Sequence, residues 1–337
     1  MKRLICFLLA FLLPSCACAK TIAIPQNTTV IESEAFQGDE SITEVVIPAG
    51  VASIGADAFD GCDPDLLIRT SAGSAAMTYA QSNQIDYQAD TTYRALLIGQ
   101  CEYESPMQAL SGPANDVQAV ANALNLHPAT PYQCTIRENL TATEMASAIL
   151  TTFADAREQD VSLLFYSGHG AEGGYLVGVD RRPLSPASLR VVLDRIPGRK
   201  IVIVDACNSG AIIGKSAEGA QQSFTEAFIS AFAAVRRSLA SDSYYVITAS
   251  RGTQESFEYD IPGFMAYGLF TRHFCAGIGY DYFNQKEAQA LADANQDGVI
   301  TIDEAHQYAA QAAYQQLPDQ EAQVYPENCI YQSLVRQ

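Results

Sequence analysis

The hydrophobic pattern divides the chain into two parts with different rhythms. Between residues 20 and 90, short apolar strands alternate with turns rich in Asn and Gly, and Ile42–Ile47 is the clearest of these strands. From Tyr93 onward, apolar runs of strand length alternate with amphipathic helical segments. This alternation predicts a mostly parallel sheet flanked by helices, because parallel strands are joined by helical crossovers. We therefore expect a small β-rich module at residues 20–90, followed by an α/β domain at residues 91–337.

A repeat with an offset of 23 residues runs through the first part of the chain. A period of this length is typical of a solenoid, in which each unit buries its apolar face against the next. A strand at residues 66–68 and a helix at residues 72–83 would close the module. The matched positions are Ile24-Pro25 with Ile47-Pro48, Ile31 with Ile54, Ala35-Phe36 with Ala58-Phe59, and Gly38 with Gly61.

The repeated segment VASIGADAFDGC resembles the short leucine-rich repeats of bacterial surface and secreted proteins. That resemblance implies a leucine-rich-repeat module with a possible protein partner.

The second part alternates strands and helices over its whole length. Thr141 begins one of the helices, because Glu144 three residues later completes a capping box. In chain order we predict strands at 93–99 and 132–136, a strand that ends at His169, a strand that ends at Cys207, and a strand at 243–249. The predicted helices lie at 115–125, after Thr141, at 185–196, at 263–275, and as a pair around residues 292–298.

The first 19 residues predict an export signal. Two basic residues precede an apolar run at residues 4–13, and small residues end at Ala19. An apolar run of this length is too short for a membrane span, which needs about 20 residues. We expect cleavage after Ala19, no transmembrane segment, and a location outside the cytoplasm, either secreted, periplasmic or on the cell surface. A lipid anchor at Cys16 is the alternative.

The charge balance narrows the classes of partner. The chain has 38 acidic and 20 basic residues, a formal net charge of −18. Nucleic-acid binding requires a basic surface, so the sequence predicts no nucleic-acid partner. A negative field favours cationic peptides or metal ions. Export also permits disulfides, and we expect one between Cys275 and Cys329.

Two apolar strands end at potentially reactive side chains. The run that begins at Val161 ends in Ser167-Gly168-His169-Gly170, and the run that begins at Lys200 ends in Asp205-Ala206-Cys207. The carboxyl ends of parallel strands lie at one edge of a sheet, where α/β enzymes have their active sites. An imidazole beside a thiol lowers the pKa of the thiol and transfers its proton. We therefore predict Cys207 as nucleophile and His169 as general acid–base, with the Gly170 N–H facing the oxyanion.

The motifs YSGHG and DACNSG, with LLIGQCEYESPMQALSGPANDVQAV upstream, resemble the caspase-like cysteine peptidases, closest to the metacaspase and bacterial caspase branch. The resemblance spans residues 92–335. It implies a caspase-like fold, a catalytic dyad of Cys207 and His169, a peptide or protein substrate, and no cofactor for catalysis. Asn208 departs from the metacaspase pattern, which often has histidine after the nucleophile, but that position is outside the dyad.

The same resemblance implies a preference for basic substrates. In the metacaspase pattern, acidic residues two positions before the cysteine and in the first helix bind arginine or lysine, and here these are Asp205 and Asp116. Caspases that read aspartate instead have an arginine before the first helix, where this chain has Leu110. Arg251 lies near another arginine position of that pocket, so cleavage after aspartate stays the alternative.

Residues 293–304 match an EF-hand-like calcium loop of twelve residues. Helical patterns on both sides and a turn glycine at Gly298 complete the pattern. A single loop of this kind outside the cell predicts a weak, structural Ca²⁺ site. The predicted ligands are Asp293, Asn295, Asp297, the Val299 carbonyl, Thr301 and Glu304.

The sequence thus predicts an exported caspase-like cysteine endopeptidase that cleaves after arginine or lysine. The alternative from another class is a calcium-stabilised surface binding module, in which the repeats make the contact and the peptidase fold is inactive.

Overall fold

The computed structural model of the chain describes residues 20–25, 28–48, 51–71, 74–171, 173–208, 224–233, 244–249, 258–259, 266–318, 320–326 and 333–337. The predicted signal segment with Cys16, the pocket candidate Arg251, and Cys329 lie outside the described residues. The chain divides into two compact units, Met1–Thr91 and Thr92–Gln337. None of the described helices is both long and apolar enough to cross a lipid bilayer.

The first unit is a short solenoid of parallel strands, and its register follows the sequence repeat. Val45 lies opposite both Ile22 and Ile68, and Ile31 lies opposite Ile54, so repeat-related residues face one another in adjacent turns. Its strands are β1 (Lys20–Ala23), β2 (Val30–Ile31), β3 (Ile42–Ile47), β4 (Ser53–Ile54), β5 (Leu67–Ser71) and β6 (Asp86–Asp90), and its helix is α1 (Ala75–Ser82). The strands pair in the orders β1-β3-β5-β6 and β2-β4.

The second unit alternates strands and helices, as the hydrophobic pattern predicts. Its strands are β7 (Tyr93–Gly99), β8 (Tyr132–Glu138), β9 (Val161–Ala171), β10 (Tyr175–Val177), β11 (Pro183–Leu184), β12 (Arg199–Asn208), β13 (Tyr244–Thr248), β14 (Glu258–Tyr259), β15 (Tyr267–Gly268), β16 (Tyr280–Asp281), β17 (Lys286–Glu287), β18 (Val299–Thr301), β19 (Gln323–Tyr325) and β20 (Ser333–Arg336). Its helices are α2 (Gly112–Leu124), α3 (Ala142–Thr152), α4 (Pro186–Leu193), α5 (Phe224–Ala233), α6 (Leu269–Gly277) and α7 (Ile302–Gln316).

Within the described residues, eight strands of this unit form one mixed sheet. Strands β8, β7, β9, β12 and β13 are adjacent and parallel, while β19 pairs antiparallel with β13 at one edge. The end of β9 also forms a hairpin with β10, which pairs with β11. Buried residues of α2, α6 and α7 form the core on one face of the sheet, and those of α3, α4 and α5 form the core on the other face. The predicted fold class, a mostly parallel sheet flanked by helices, is confirmed.

Two predictions for the C-terminal region are wrong. A single helix, α7, follows the predicted calcium loop, whereas the segment before it forms the β16–β17 hairpin and irregular backbone. The backbone N–H groups of Ala288 and Ala292 donate to Gly279 and Gly277 at the end of α6, and these contacts hold the segment in a non-helical path. Cys275 has a free, fully buried thiol, so its predicted disulfide with Cys329 is not formed.

Candidate active site

The two strands that end at His169 and Cys207 are neighbours in the sheet. β9 and β12 run parallel, and their register places Cys207 opposite His169 and Asp205 opposite Ser167. Adjacent strands lie about 4.8 Å apart, and residues in register share one face of the sheet. The backbone therefore brings both residues of the predicted dyad together at the carboxyl edge. The side chain of Cys207 is not among those that the structure describes.

The imidazole of His169 is held by the β7–α2 loop (residues 100–111). Its Nε2 lies 2.8 Å from the carbonyl oxygen of Gln108. A carbonyl oxygen only accepts hydrogen bonds, so in the neutral imidazole Nε2 carries the proton and Nδ1 keeps its lone pair. His169 is thus in the tautomer that can take a proton at Nδ1, which is the protonation state that a general base requires.

Two tyrosines hold the backbone of the same histidine. The N–H of His169 donates to the hydroxyl oxygen of Tyr103 at 2.8 Å, and the hydroxyl of Tyr166 donates to the His169 carbonyl at 2.7 Å. The ring of Tyr103 also packs against the imidazole, with 4.6 Å between ring centroids. Both tyrosine hydroxyl groups lie so close to Gly168 that there is no space for a side chain at that position. The histidine is therefore restrained at its N–H, its carbonyl and its ring.

Gly170, the predicted oxyanion residue, lies inside the sheet. It is opposite Asn208 of β12 on one side and Leu176 of β10 on the other. Its position next to His169 at the strand end agrees with the motif, and its oxyanion role stays a prediction.

Three thiols of the described residues are poor nucleophiles because of burial. Burial raises the pKa of Cys134 to about 11, raises the pKa of Cys62, and raises the pKa of Cys275 well above 9.0. A thiol with a raised pKa is protonated near neutral pH and reacts slowly. These cysteines do not compete with Cys207 for the role of nucleophile.

The structure brings the two predicted pocket acids together. Asp116 lies in the first turns of α2 and Asp205 near the end of β12, and they are 1% and 4% exposed. A Cβ atom placed on Gly268 would overlap Asp205 Oδ2 and lie 3.0 Å from Asp116 Oδ2, so both carboxylates face the same point on β15. We call Asp116 and Asp205 the acid pair.

The acid pair is hydrogen-bonded by neighbouring donors of the chain. Asp116 accepts from the Gly268 N–H at 3.0 Å, the Ser167 hydroxyl at 2.8 Å and the Tyr282 hydroxyl at 2.9 Å. Asp205 accepts from the N–H of Thr271 at 3.1 Å and from its hydroxyl at 2.6 Å. These donors, from β9, β15, α6 and the β16–β17 hairpin, cover the pair in this structure.

Burial is also the main influence on the charge of the acid pair. Burial, followed by the charge of Asp205, raises the pKa of Asp116 from 3.8 to about 7, while the hydrogen bonds from Gly268, Ser167 and Tyr282 lower it. The pair consequently carries less than its full negative charge at pH 7 and gains charge as the pH rises through that value.

The alternative aspartate-reading pocket receives no support from the described residues. Leu110 is half-buried, and its N–H donates to the Cys101 carbonyl at 3.0 Å. Because its side chain is apolar, this position provides no cationic group. Arg251 lies outside the described residues.

The predicted calcium loop folds as a compact turn that leads into α7. The carboxylate of Asp293 accepts from the N–H groups of Asp297 and Gly298, and Gly298 has a φ of +77°, a conformation that favours glycine. Glu304 is bound by Thr301, with which it forms a capping box. Among the described residues, no three His, Cys, Asp or Glu side chains lie close enough to hold a metal ion. The loop has the oxygen donors that Ca²⁺ prefers, and the chain's own donors bind them here.

Sequence reasoning missed the residues that hold the predicted ones in place, and four of these are Tyr103, Gln108, Ser167 and Tyr282. Ser167 could have been identified from the sequence, because it lies two residues before His169 and thus on the same face of β9. The other three carry no local signal, since each reaches the site from a loop.

Comparison with known proteins agrees with this geometry. Residues 92–324 match the caspase domain family, and residues 10–74 match the BspA-type leucine-rich repeat region in six copies. Because the caspase domain covers more than half of the chain, the chain belongs to that family. The repeat match begins inside the segment predicted to be a signal peptide.

One similar solved structure is caspase-1 from Spodoptera frugiperda. It shares 14% identity and a TM-score of 0.49 with this chain, and the match covers 70% of this chain and 88% of that one. The search of curated proteins returned no match.

Proposed function

We propose that this chain is an exported cysteine endopeptidase that cleaves peptide bonds after arginine or lysine. The observation that carries the proposal is the register of β9 and β12, which sets Cys207 opposite His169 at the carboxyl edge of the sheet. A thiol and an imidazole in that position are the two groups that nucleophilic cleavage of an amide requires.

The chemistry follows from the orientation of the imidazole. His169 Nδ1 takes the thiol proton, and the Cys207 sulfur attacks the scissile carbonyl carbon to form a C–S bond. The imidazolium then returns the proton to the leaving amine as the C–N bond breaks. Water hydrolyses the resulting thioester with His169 as base. The hydrogen bond from Nε2 to the Gln108 carbonyl keeps the ring oriented during both steps.

The acid pair supports selection of a basic side chain. Asp116 and Asp205 face one point on Gly268, and both are shielded from water. A guanidinium or ammonium group compensates buried carboxylates and favours their ionised form, whereas an aspartate side chain would add further negative charge there. Binding of such a group would require movement of β15, because a Cβ atom on Gly268 would already overlap Asp205 Oδ2.

The test compares arginyl, lysyl and aspartyl peptide reporters with the full chain. We expect turnover of the first two, a loss of at least about 10³-fold in Cys207→Ala, and a rise in KM of about tenfold in Asp116→Asn for the basic reporters. Cys134→Ala is the matched control, since it removes a different thiol, which lies on β8 and is half-buried.

Two outcomes would contradict the proposal. Preferred turnover of the aspartyl reporter would refute basic specificity. Absence of turnover with every reporter, both with Ca²⁺ and with a chelator, would favour the binding module with an inactive peptidase fold.

Export and calcium binding belong to the same proposal. The basic start and apolar run before Ala19, together with repeats of the surface-protein type, support export. The repeats would then contact a protein partner outside the cytoplasm. A structural Ca²⁺ at Asp293, Asn295, Asp297, Val299, Thr301 and Glu304 would stabilise the start of α7.

A further inference from the structure

Tyr282 contacts the acid pair from outside the sheet and from outside α2. It lies between β16 and β17, is 3% exposed, and its hydroxyl is 2.9 Å from Asp116 Oδ1. A buried phenol needs an acceptor, and a carboxylate is a strong one. Burial, and then the charge of Asp116, raises the pKa of Tyr282, so the phenol keeps its proton and acts as the donor.

We propose that Tyr282 is the positioning residue of the acid pair: its hydroxyl favours the ionised form of Asp116 and keeps that carboxylate oriented towards the point faced by Asp205. Tyr282 thereby sets how strongly the pocket selects a basic side chain. This inference rests on the proposed function, since it names the residue that controls specificity at the same site.

Of the three donors to Asp116, Tyr282 is the one that can be altered separately. The Gly268 donor is a backbone N–H, and Ser167 lies on β9 two residues before His169, so changing it would disturb the dyad. Tyr282 instead reaches Asp116 from the hairpin after α6. The ring of Tyr282 packs against the rings of Tyr267 and Phe283, at centroid distances of 5.7 Å and 6.2 Å.

Among the described residues, three titratable groups interact with Asp116, each from a different part of the fold. They are Asp205 on β12, Cys275 on α6 and Tyr282 itself. The pKa values of Cys275 and Tyr282 are both raised, so these groups stay neutral near pH 7. Neither group therefore changes the charge around Asp116 in that range.

Removal of the Tyr282 hydroxyl should destabilise the ionised form of Asp116 relative to its protonated form. Hydrogen bonds to charged groups stabilise the charged form enough to move a pKa by about one unit. For Tyr282→Phe we expect the acid limb of kcat/KM with an arginyl reporter to shift upward by about one pH unit. At about pH 6 this is roughly a tenfold loss, mainly in KM, and the loss shrinks above about pH 8.5 as the carboxyl group ionises again.

Tyr280→Phe is the matched control. Tyr280 is also 3% exposed, belongs to the same hairpin, and its hydroxyl accepts from Asn122 at 3.0 Å instead of binding Asp116. We expect this variant to keep the wild-type pH profile. The rate at which iodoacetamide inactivates the Cys207 thiol should be the same in both variants and the wild type, because neither tyrosine contacts His169.

The proposal is overturned if Tyr282→Phe keeps the wild-type KM and acid limb, or if Tyr280→Phe changes them equally. A second measurement separates it from the proposed function: the carboxyl ¹³C titration of Asp116, assigned by its loss in Asp116→Asn. If no reporter is hydrolysed, the proposed function fails, and the titration alone then tests the role of Tyr282. A higher midpoint in Tyr282→Phe then supports positioning of Asp116 by Tyr282, and an unchanged midpoint refutes it.

Discussion

His169 owes its position to close packing at Gly168, the residue before it. A Cβ atom on Gly168 would lie 2.7 Å from the Tyr103 hydroxyl oxygen and 2.9 Å from Gln100 Cβ and the Tyr166 hydroxyl oxygen. Contacts this short require a neighbour to move. The two hydroxyl groups involved are those that bind the backbone of His169, so any adjustment displaces the histidine.

Gly168→Ala should therefore impair turnover more than stability. We expect a loss in kcat of about 10²-fold from the displaced imidazole, with a decrease of about 1–3 kcal/mol in the free energy of unfolding from overpacking. Gly198→Ala is the control: it also forces a neighbour to move, because its Cβ would lie 2.5 Å from the carbonyl oxygens of Arg157 and Asp160, but at the opposite end of β12. Steady-state kinetics and urea unfolding measure the two effects. Equal loss of turnover in both variants would contradict this account.

The sequence pointed to the residues that the structure brings together at the candidate site, but not to those that orient them. His169 and Cys207 were predicted because each lies at the end of an apolar strand, and Asp205 and Asp116 because they match the metacaspase pattern. Tyr282 was not predictable, because its contact with Asp116 joins residues 166 positions apart and depends on how the hairpin after α6 packs. Orientation is a property of the tertiary structure.

For individual helices and strands, sequence motifs predicted the structure correctly where the stabilising contacts join residues close in sequence. The capping box at Thr141 and Glu144 was predicted from spacing, and it begins α3 as expected. The helix predicted before the calcium loop fails for the opposite reason: Lys286 pairs with Asp281 in a hairpin, and the following backbone bonds to the end of α6. There, tertiary hydrogen bonds override the helical pattern.

The two capping boxes allow a matched test of calcium binding. Glu304 and Glu144 each cap a helix through a threonine, but only Glu304 belongs to the predicted calcium loop. Glutamine also serves in a capping box, so Glu304→Gln and Glu144→Gln should both keep their helices. With Kd of about 1 mM, Ca²⁺ at about 10 mM stabilises the folded chain by about 1.4 kcal/mol.

We expect calcium to raise Tm by a few degrees in the wild type and in Glu144→Gln, and to have little effect in Glu304→Gln. Differential scanning calorimetry with Ca²⁺ and with a chelator measures this. A calcium-induced rise that persists in Glu304→Gln would show that the ion binds elsewhere, and no rise in the wild type would rule out a structural site.

For the whole molecule, parallel topology explains why distant segments form one site. Strands β7, β9, β12 and β13 run in the same direction, so their carboxyl ends and the loops that follow them share one edge. The fold class, and the edge of the sheet at which His169 and Cys207 both lie, could therefore be predicted from alternating apolar runs. The order of the strands could not, because apolar runs do not specify which strands pair.

The buried acid pair should make the stability of the folded chain depend on pH. The pKa of Asp116 is raised from 3.8 to about 7 by burial and by Asp205, so the folded chain binds its proton more tightly than the unfolded chain does. The stability that this proton contributes is complete below about pH 4 and is lost as the pH rises through about 7, in total roughly 2–4 kcal/mol. In Asp116→Asn this side chain cannot titrate. The free energy of unfolding of the variant, relative to that of the wild type, should therefore increase between about pH 5 and pH 8. Urea unfolding across that range measures the difference, with Asp155→Asn, an exposed aspartate of the same unit, as the control. A constant difference between wild type and Asp116→Asn would show that Asp116 titrates alike in the folded and unfolded chain.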